Sequence, residues 1–318
     1  MKALTRKIET VALIGLGAMG CAYLSKIAET FPMDRIRVVA SGDRAERYRA
    51  NGVTVNGRRI RFPIFEPGDR VPPADLLIFT VKHNQLGQAI CDARGQVGPD
   101  TVVISLLNGI TSEIEIGEAY GAEKVLCSLA MGTDPIRAGD DTTFTTLGTI
   151  PFGEAVNREG EYSRNVLRVE EFFKETGLRY EIPEDMTKAL WKKFMMNVGV
   201  NQVTAVLRCG YGALLGAGLT RDLAVAAMTE VTVLAEREKV NLTESDIEDC
   251  LKVLGTLSPQ GKTSTLQDVE ARRQTEVDIF GGTVVNLGRK HGVPVPVNEM
   301  LFKLIKATEE SYPHSIYP

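Results

Sequence analysis

No stretch of the 318 residues offers the roughly 20 uninterrupted apolar positions that a membrane-spanning helix requires. Runs of one charge are missing too. The 37 basic and 41 acidic residues are interspersed, the net charge is −4, and nothing resembles the lysine- and arginine-rich stripe that tracks a phosphate backbone. Neither a membrane nor a nucleic acid is an expected partner. Cysteine is scarce: Cys21, Cys91, Cys127, Cys209 and Cys250 are odd in number, widely spaced and without a C-x-x-C pair. That argues against a disulfide framework or a zinc site and for a reducing compartment, the cytoplasm. Internal repeats, low-complexity segments and long linkers are absent as well. What remains is a chain of ordinary globular balance, 43% apolar and 25% charged. Its length is about twice the usual single-domain size, so two closely apposed domains are expected.

The N-terminus imitates a secretory leader, basic from Met1 to Lys7 and apolar from Val11 to Gly20, but three glycines inside the apolar stretch argue against one. Residues 10–15 instead form the short continuous apolar run of a strand buried on both faces. The glycines follow, and 18–29 reads as a helix. A second β-rich run at 36–40 closes a βαβ unit about 20 residues beyond the glycines. DLLIFTV at 75–81 and TVVISLL at 101–107 continue the buried-strand pattern. Between them and strand two, residues 53–65 alternate and contain Asn56-Gly57, a hairpin or edge excursion. Thr-rich segments from 124 to 153 suggest antiparallel edge strands, and 165–176 turns helical. Beyond Ile182-Pro183 the periodicity is helical, at 185–207, 219–239, 244–254 and 269–288. The expected class is α/β: a Rossmann-type doubly wound sheet over residues 1–182, followed by an all-helical substrate and catalytic domain over 183–318.

Within that frame, Gly15-Leu16-Gly17-Ala18-Met19-Gly20 is a G-x-G-x-x-G between a buried strand and a helix. There the glycines allow a tight turn and close approach to a pyrophosphate, whose charge the helix N-terminus receives. A glycine-rich turn kept for packing is the alternative. Just past strand two, an acidic side chain would hold a ribose 2′-hydroxyl and an arginine a 2′-phosphate. The chain reads Ser41-Gly42-Asp43-Arg44, and with Ser41 and Arg44 as phosphate partners it favours NADP, NAD remaining possible. An unliganded surface Arg44 is the bland alternative. Lys82, His83 and Gln85 follow DLLIFTV and Asn108 follows TVVISLL, at the carboxyl ends of strands where ligands lie in open α/β sheets. His83 could donate a proton, although a lone strand-end histidine is commonly a surface residue.

In the helical half, Lys193, Asn197 and Asn201 recur every four residues and form a polar stripe on an otherwise apolar helix. A solvated face would use flexible charges instead of two weak helix formers, so the stripe points to function. Lys192 lies about 100° around the helix and cannot share it. The segment KTSTLQDVEARRQTEVDIFGG, with Ser264 and Glu276, reads equally well as a charged surface helix. No cluster of metal ligands is present.

Taken together, GLGAMG, VKHNQ, LNG, the W-x-K-x-x-x-N-x-x-x-N helix and the Ser264 to Asp278 segment resemble the ketopantoate reductase family, in family order from residue 11 to about 282. The resemblance implies an NADPH-dependent cytoplasmic oxidoreductase that reduces 2-dehydropantoate to (R)-pantoate in pantothenate biosynthesis, in an interdomain cleft. It further implies a catalytic lysine at Lys193 and a glutamate contacting lysine or substrate at Glu276. Asn197, Asn201 and Ser264 then match substrate-binding positions, while Lys82, Gln85 and Asn108 match positions near the nicotinamide and its ribose. The chain departs from the family where NADPH-dependent members often carry an arginine directly after strand two, since Ser41 stands there. Two other readings stay open: a same-fold reductase of another branched 2-keto acid, and a non-catalytic dinucleotide sensor. The apolar helices after residue 219 bury themselves or pair in a homodimer.

Overall fold

A computed structural model describes residues 6–314, so the first five residues of the leader-like basic segment lie outside the described part. The chain divides into two compact units, up to Thr187 and from Lys188.

The first unit runs β1 (Val11–Ile14), α1 (Ala18–Ile27), β2 (Ile36–Val39), α2 (Gly42–Asn51), β3 (Val53–Val55), β4 (Arg58–Ile60), β5 (Ile64–Phe65), β6 (Leu76–Phe79), α3 (Leu86–Ala93), β7 (Val102–Ser105), α4 (Ser112–Tyr120), β8 (Val125–Ser128), β9 (Ile136–Ala138), β10 (Asp141–Thr143), β11 (Ile150–Gly153), α5 (Arg164–Thr176) and β12 (Tyr180–Glu181). Eight strands form one sheet in the order β12-β11-β8-β7-β6-β1-β2-β5. Every residue of β1, β2, β6 and β7 is buried and these strands pair in parallel. Continuous apolar runs tolerate that position only when helices cover both faces. Alternate side chains accordingly feed two cores. Val11, Leu13, Ile36, Val38, Leu76 and Ile78 pack with Leu24 of α1 and Phe172 of α5, whereas Ala12, Ile14, Leu77 and Phe79 pack with Leu86 and Ile90 of α3. The winding direction reverses between β1 and β6, the switch point at which ligands of such sheets lie outside the strand ends.

The expected hairpin forms. Asn56 and Gly57 take positive φ values of 46° and 76° between β3 and β4, as a two-residue type I′ turn demands. It joins β10 and β9 in a separate four-stranded sheet. Of the expected antiparallel edge strands, β11 does pair antiparallel with β8, but the outermost strand β12 is parallel to β11.

The second unit continues α6 (Met186–Leu207) and adds α7 (Leu219–Arg237), α8 (Glu244–Leu254), α9 (Ser264–Glu270), α10 (Gly281–His291) and α11 (Pro296–Ser311), with no strand among its described residues. The single helix expected over 269–288 is not formed. Arg272 turns left-handed at φ 50°, the Arg273 amide donates to the Asp268 carbonyl at 2.8 Å, and the Arg273 guanidinium donates to the Asp268 carboxylate at 2.8 Å. Thr275 then anchors to Glu309 of α11 through its amide (2.8 Å) and hydroxyl (2.6 Å). The charge spacing that looked like helix-surface pairing terminates α9 instead. Among the described residues no helix is long and apolar enough to cross a membrane, and no group of three or more His, Cys, Asp or Glu side chains could hold a metal.

Candidate active site

Each glycine of the first turn has its own job. A Cβ on Gly15, whose φ is 104°, would lie 2.6 Å from the Val81 amide nitrogen, so the chain can reverse beside β6 only without a side chain. One on Gly20 would meet the Gly15 carbonyl and the Thr80 hydroxyl, the latter at 2.7 Å, so the third glycine seats α1 against the turn. At Gly17 nothing lies within 4 Å. That residue is the N-cap of α1, so the opening faces backbone N–H groups that no intrahelical carbonyl accepts. A tight turn, an open approach and a seated helix are the three features that pyrophosphate binding needs. Ala18 and Met19 form the first turn beside this opening, whereas the Leu16 side chain is buried and serves the core.

Three side chains distant in sequence hold the turn in shape. Thr80 donates to the Gly15 carbonyl at 2.7 Å, Tyr48 of α2 donates to the Leu16 carbonyl at 3.2 Å, and Arg137 of β9 donates to that same carbonyl. Sequence reasoning missed all three, because nothing local marks a residue that acts across 32 or more positions.

The remaining cofactor candidates emerge from neighbouring strand ends. Ser41, the N-cap of α2, follows β2, with Asp43 and Arg44 exposed in the helix's first turn. Lys82 and Gln85 are exposed in the short 3-10 connection after β6, and Asn108 is half-buried after β7. The Asn108 turn is set from inside: the Ser105 hydroxyl accepts the Leu107 amide at 3.4 Å and meets the Ser112 hydroxyl at 2.8 Å. His83 Nε2 lies 2.9 Å from Glu115 Oε1 and 3.2 Å from the Thr111 hydroxyl, both at the start of α4. The ring therefore ties the Lys82 turn to the segment that follows Asn108.

In the second unit the α6 stripe holds. Lys193 is half-buried, and Asn197 and Asn201 are only 9% and 8% exposed, flanked by buried Phe194, Val198 and Val200. Burying an amide costs free energy unless it finds a hydrogen-bond partner, so these two are not solvated decoration. Thr204, eleven residues beyond Lys193 and so about 20° from it around the helix, extends the stripe. Its hydroxyl meets that of Thr263 at 2.8 Å. Thr263 is the N-cap of α9 and accepts the Leu266 amide, which sets Ser264, exposed, at the first position of that helix. Glu276, half-buried, precedes the 3-10 turn Val277–Ile279, whose Val277 shares a small core with Ala205 of α6 and Val269 of α9. The unit thus gathers Lys193, Asn197, Asn201, Ser264 and Glu276 onto α6 and the two segments packed on it. Thr204 was within reach of the sequence, since an i, i+3 step from Asn201 also stays on that helix face.

Lys192 is otherwise engaged. It reaches Asp246 at 3.1 Å and Asp249 at 2.9 Å on α8, and Lys188 reaches Asp246 at 3.0 Å. Desolvation lowers the Lys192 pKa, but the hydrogen bonds it donates to the Asp249 and Asp246 carboxylates outweigh that and the net shift is upward, as suits a structural cation.

Known proteins match the chain over both units. The profile described as ketopantoate reductase PanE/ApbA matches residues 11–157, and its C-terminal counterpart matches 185–309. A 2-dehydropantoate 2-reductase of Streptococcus pyogenes serotype M3 is 26% identical over 305 residues, covering 94% of this chain and 97% of that protein. One from Aquifex aeolicus is 27% identical over 308 residues, covering 93% and 96%. Among solved structures, D-mandelate dehydrogenase in a ternary complex with NADH and anilino(oxo)acetate has a TM-score of 0.82 at 21% identity, covering 95% of this chain and 99% of that one, a likeness of fold.

Proposed function

Since this chain belongs to the ketopantoate reductase family of oxidoreductases, we propose that it reduces 2-dehydropantoate to (R)-pantoate, with NADPH as donor, in pantothenate biosynthesis. The observation that carries the reading is the α6 stripe, an ammonium and two buried amides in line beside buried Phe194, Val198 and Val200. The glycine turn fits a dinucleotide, and Arg44 is the cation available to a ribose 2′-phosphate.

A reduced nicotinamide, when bound, would supply the hydride that the ketone carbon accepts. The carbonyl oxygen then gains the electron pair of the broken π bond, and the Lys193 ammonium stabilises that alkoxide and transfers a proton to it, leaving a neutral amine that solvent reprotonates. Asn197 and Asn201 hold the substrate's carboxylate and hydroxyl without bringing a competing charge, and Ser264 adds a hydroxyl donor. Glu276 holds the lysine or the substrate. Lys82, Gln85 and Asn108 orient the nicotinamide ribose.

The test is a panel in which NADPH and NADH are each offered with 2-dehydropantoate, other branched 2-keto acids and phenylglyoxylate. A kcat/KM for 2-dehydropantoate at least about tenfold above the rest supports the assignment, because pockets separate such acids only modestly. An equal preference for another acid reassigns the substrate, and dinucleotide binding without turnover of any acid favours a sensor.

A further inference from the structure

Ser41 stands where a nucleotide-binding sheet of this kind meets the adenosine ribose, just beyond strand two. Its hydroxyl makes no cap hydrogen bond to its own helix. It lies instead 3.4 Å from Oδ2 of Asp92, on α3, and the other Asp92 oxygen accepts Gln88 Nε2 at 2.7 Å. A carboxylate from a different helix, half-buried and oriented by its own neighbour, is therefore one hydrogen bond from the ribose-reading position. Asp43 and Arg44, both exposed, are the other charges in the first turn of α2.

We infer that Asp92 governs the choice between the two nicotinamide dinucleotides, by opposing a 2′-phosphate and welcoming a 2′-hydroxyl at Ser41. This deepens the cofactor assignment proposed above and rests on it. A phosphate dianion there gains Arg44 but faces Asp92 and Asp43, two like charges against one opposite. The Ser41 hydroxyl, which would donate to a phosphate oxygen, already donates to Asp92. A ribose hydroxyl meets no such conflict, since it donates to the same carboxylate. The consequence is a relaxed preference, with NADPH and NADH dissociation constants within about tenfold of each other.

Isothermal titration of the full chain with each dinucleotide, without keto acid, tests this. Asp92→Asn retains the shape while removing the charge and replacing one of the two acceptor oxygens by a donor, and should shift the ratio of dissociation constants towards NADPH by about threefold or more at low salt, less at high salt. Asp92→Ala should shift it in the same direction, which separates charge from hydrogen bonding. A ratio unchanged within about twofold in both variants, or a wild-type preference for NADPH beyond about a hundredfold, overturns the inference while leaving the dinucleotide site intact. Wild-type protein that binds neither dinucleotide overturns the cofactor assignment as well, so the two failures are distinguishable.

Discussion

Replacing Gly20 and, separately, Gly17 by alanine adds one methyl group to the same turn, with opposite expected results. At residue 20 the methyl would sit 2.7 Å from the Thr80 hydroxyl and closer still to the Gly15 carbonyl. Thr80 can rotate away only by giving up its 2.7 Å bond to that carbonyl, and the carbonyl itself is backbone that also accepts the Gly17 amide at 2.8 Å. Helix α1 must therefore lift from the turn. Overpacking of this kind costs about 1–3 kcal/mol and the lost hydrogen bond about 1 kcal/mol, offset by up to about 1 kcal/mol from alanine's better helix propensity. A net loss of about 1–4 kcal/mol corresponds to a Tm lowered by roughly 2–16 °C in a unit of this size. At residue 17 the methyl meets nothing, and φ of −81° suits any residue, so the Tm should move by less than about 2 °C. That methyl does occupy the opening through which a pyrophosphate reaches the backbone, and NADPH affinity should fall by about tenfold or more. Scanning calorimetry of the ligand-free protein and titration with NADPH separate the two. The reasoning fails if Gly17→Ala melts as early as Gly20→Ala, or if it binds NADPH like the wild type.

Three further outcomes are expected. Lys193→Ala should lower kcat by about a hundredfold to ten-thousandfold, whereas Lys192→Ala should lower the Tm and leave steady-state turnover within a few-fold, since Lys192 belongs to the Asp246 and Asp249 pairs. Desolvation raises the pKa of Asp246, but the Thr243 amide, Lys188 and Lys192 overcome it and hold the carboxyl at about 2, below its ordinary 3.8. Because the folded value is the lower one, the stabilisation is complete above the ordinary value and is lost as pH falls through about 2; Asp246→Asn should cost about 1–3 kcal/mol at neutral pH and flatten the Tm profile below pH 4. His83→Ala should weaken NADPH binding by roughly threefold to tenfold with little change in Tm, and His83→Gln should restore part of it by donating to Glu115; equal loss in both variants would separate the ring from that role.

Much of the scaffold could be read from local pattern. The buried runs at β1, β2, β6 and β7, the glycine turn between β1 and α1, the Asn56-Gly57 hairpin and the stripe on α6 are all encoded within a few turns of chain. Each depends on periodicity or on the backbone freedom of particular residues, which neighbours in sequence suffice to express. The failures share a cause. Residues 269–288 carry helical charge spacing, yet the helix ends because Arg273 folds back on Asp268 and Thr275 is bound by Glu309, 34 positions away.

What the amino-acid sequence determined alone was the buried strands β1, β2, β6 and β7, the glycine turn into α1, the hairpin at Asn56-Gly57, and that Lys193 and the two asparagines share a line on one helix. Tertiary structure decided the rest: that β3 and β4 join β10 and β9, that Thr80, Tyr48 and Arg137 clasp the glycine turn, and that Asp92 reaches Ser41. Local pattern specifies a surface and its chemistry but not the distant group that will cover it, because that pairing is set by the packing of whole elements once the sheet and its helices have condensed.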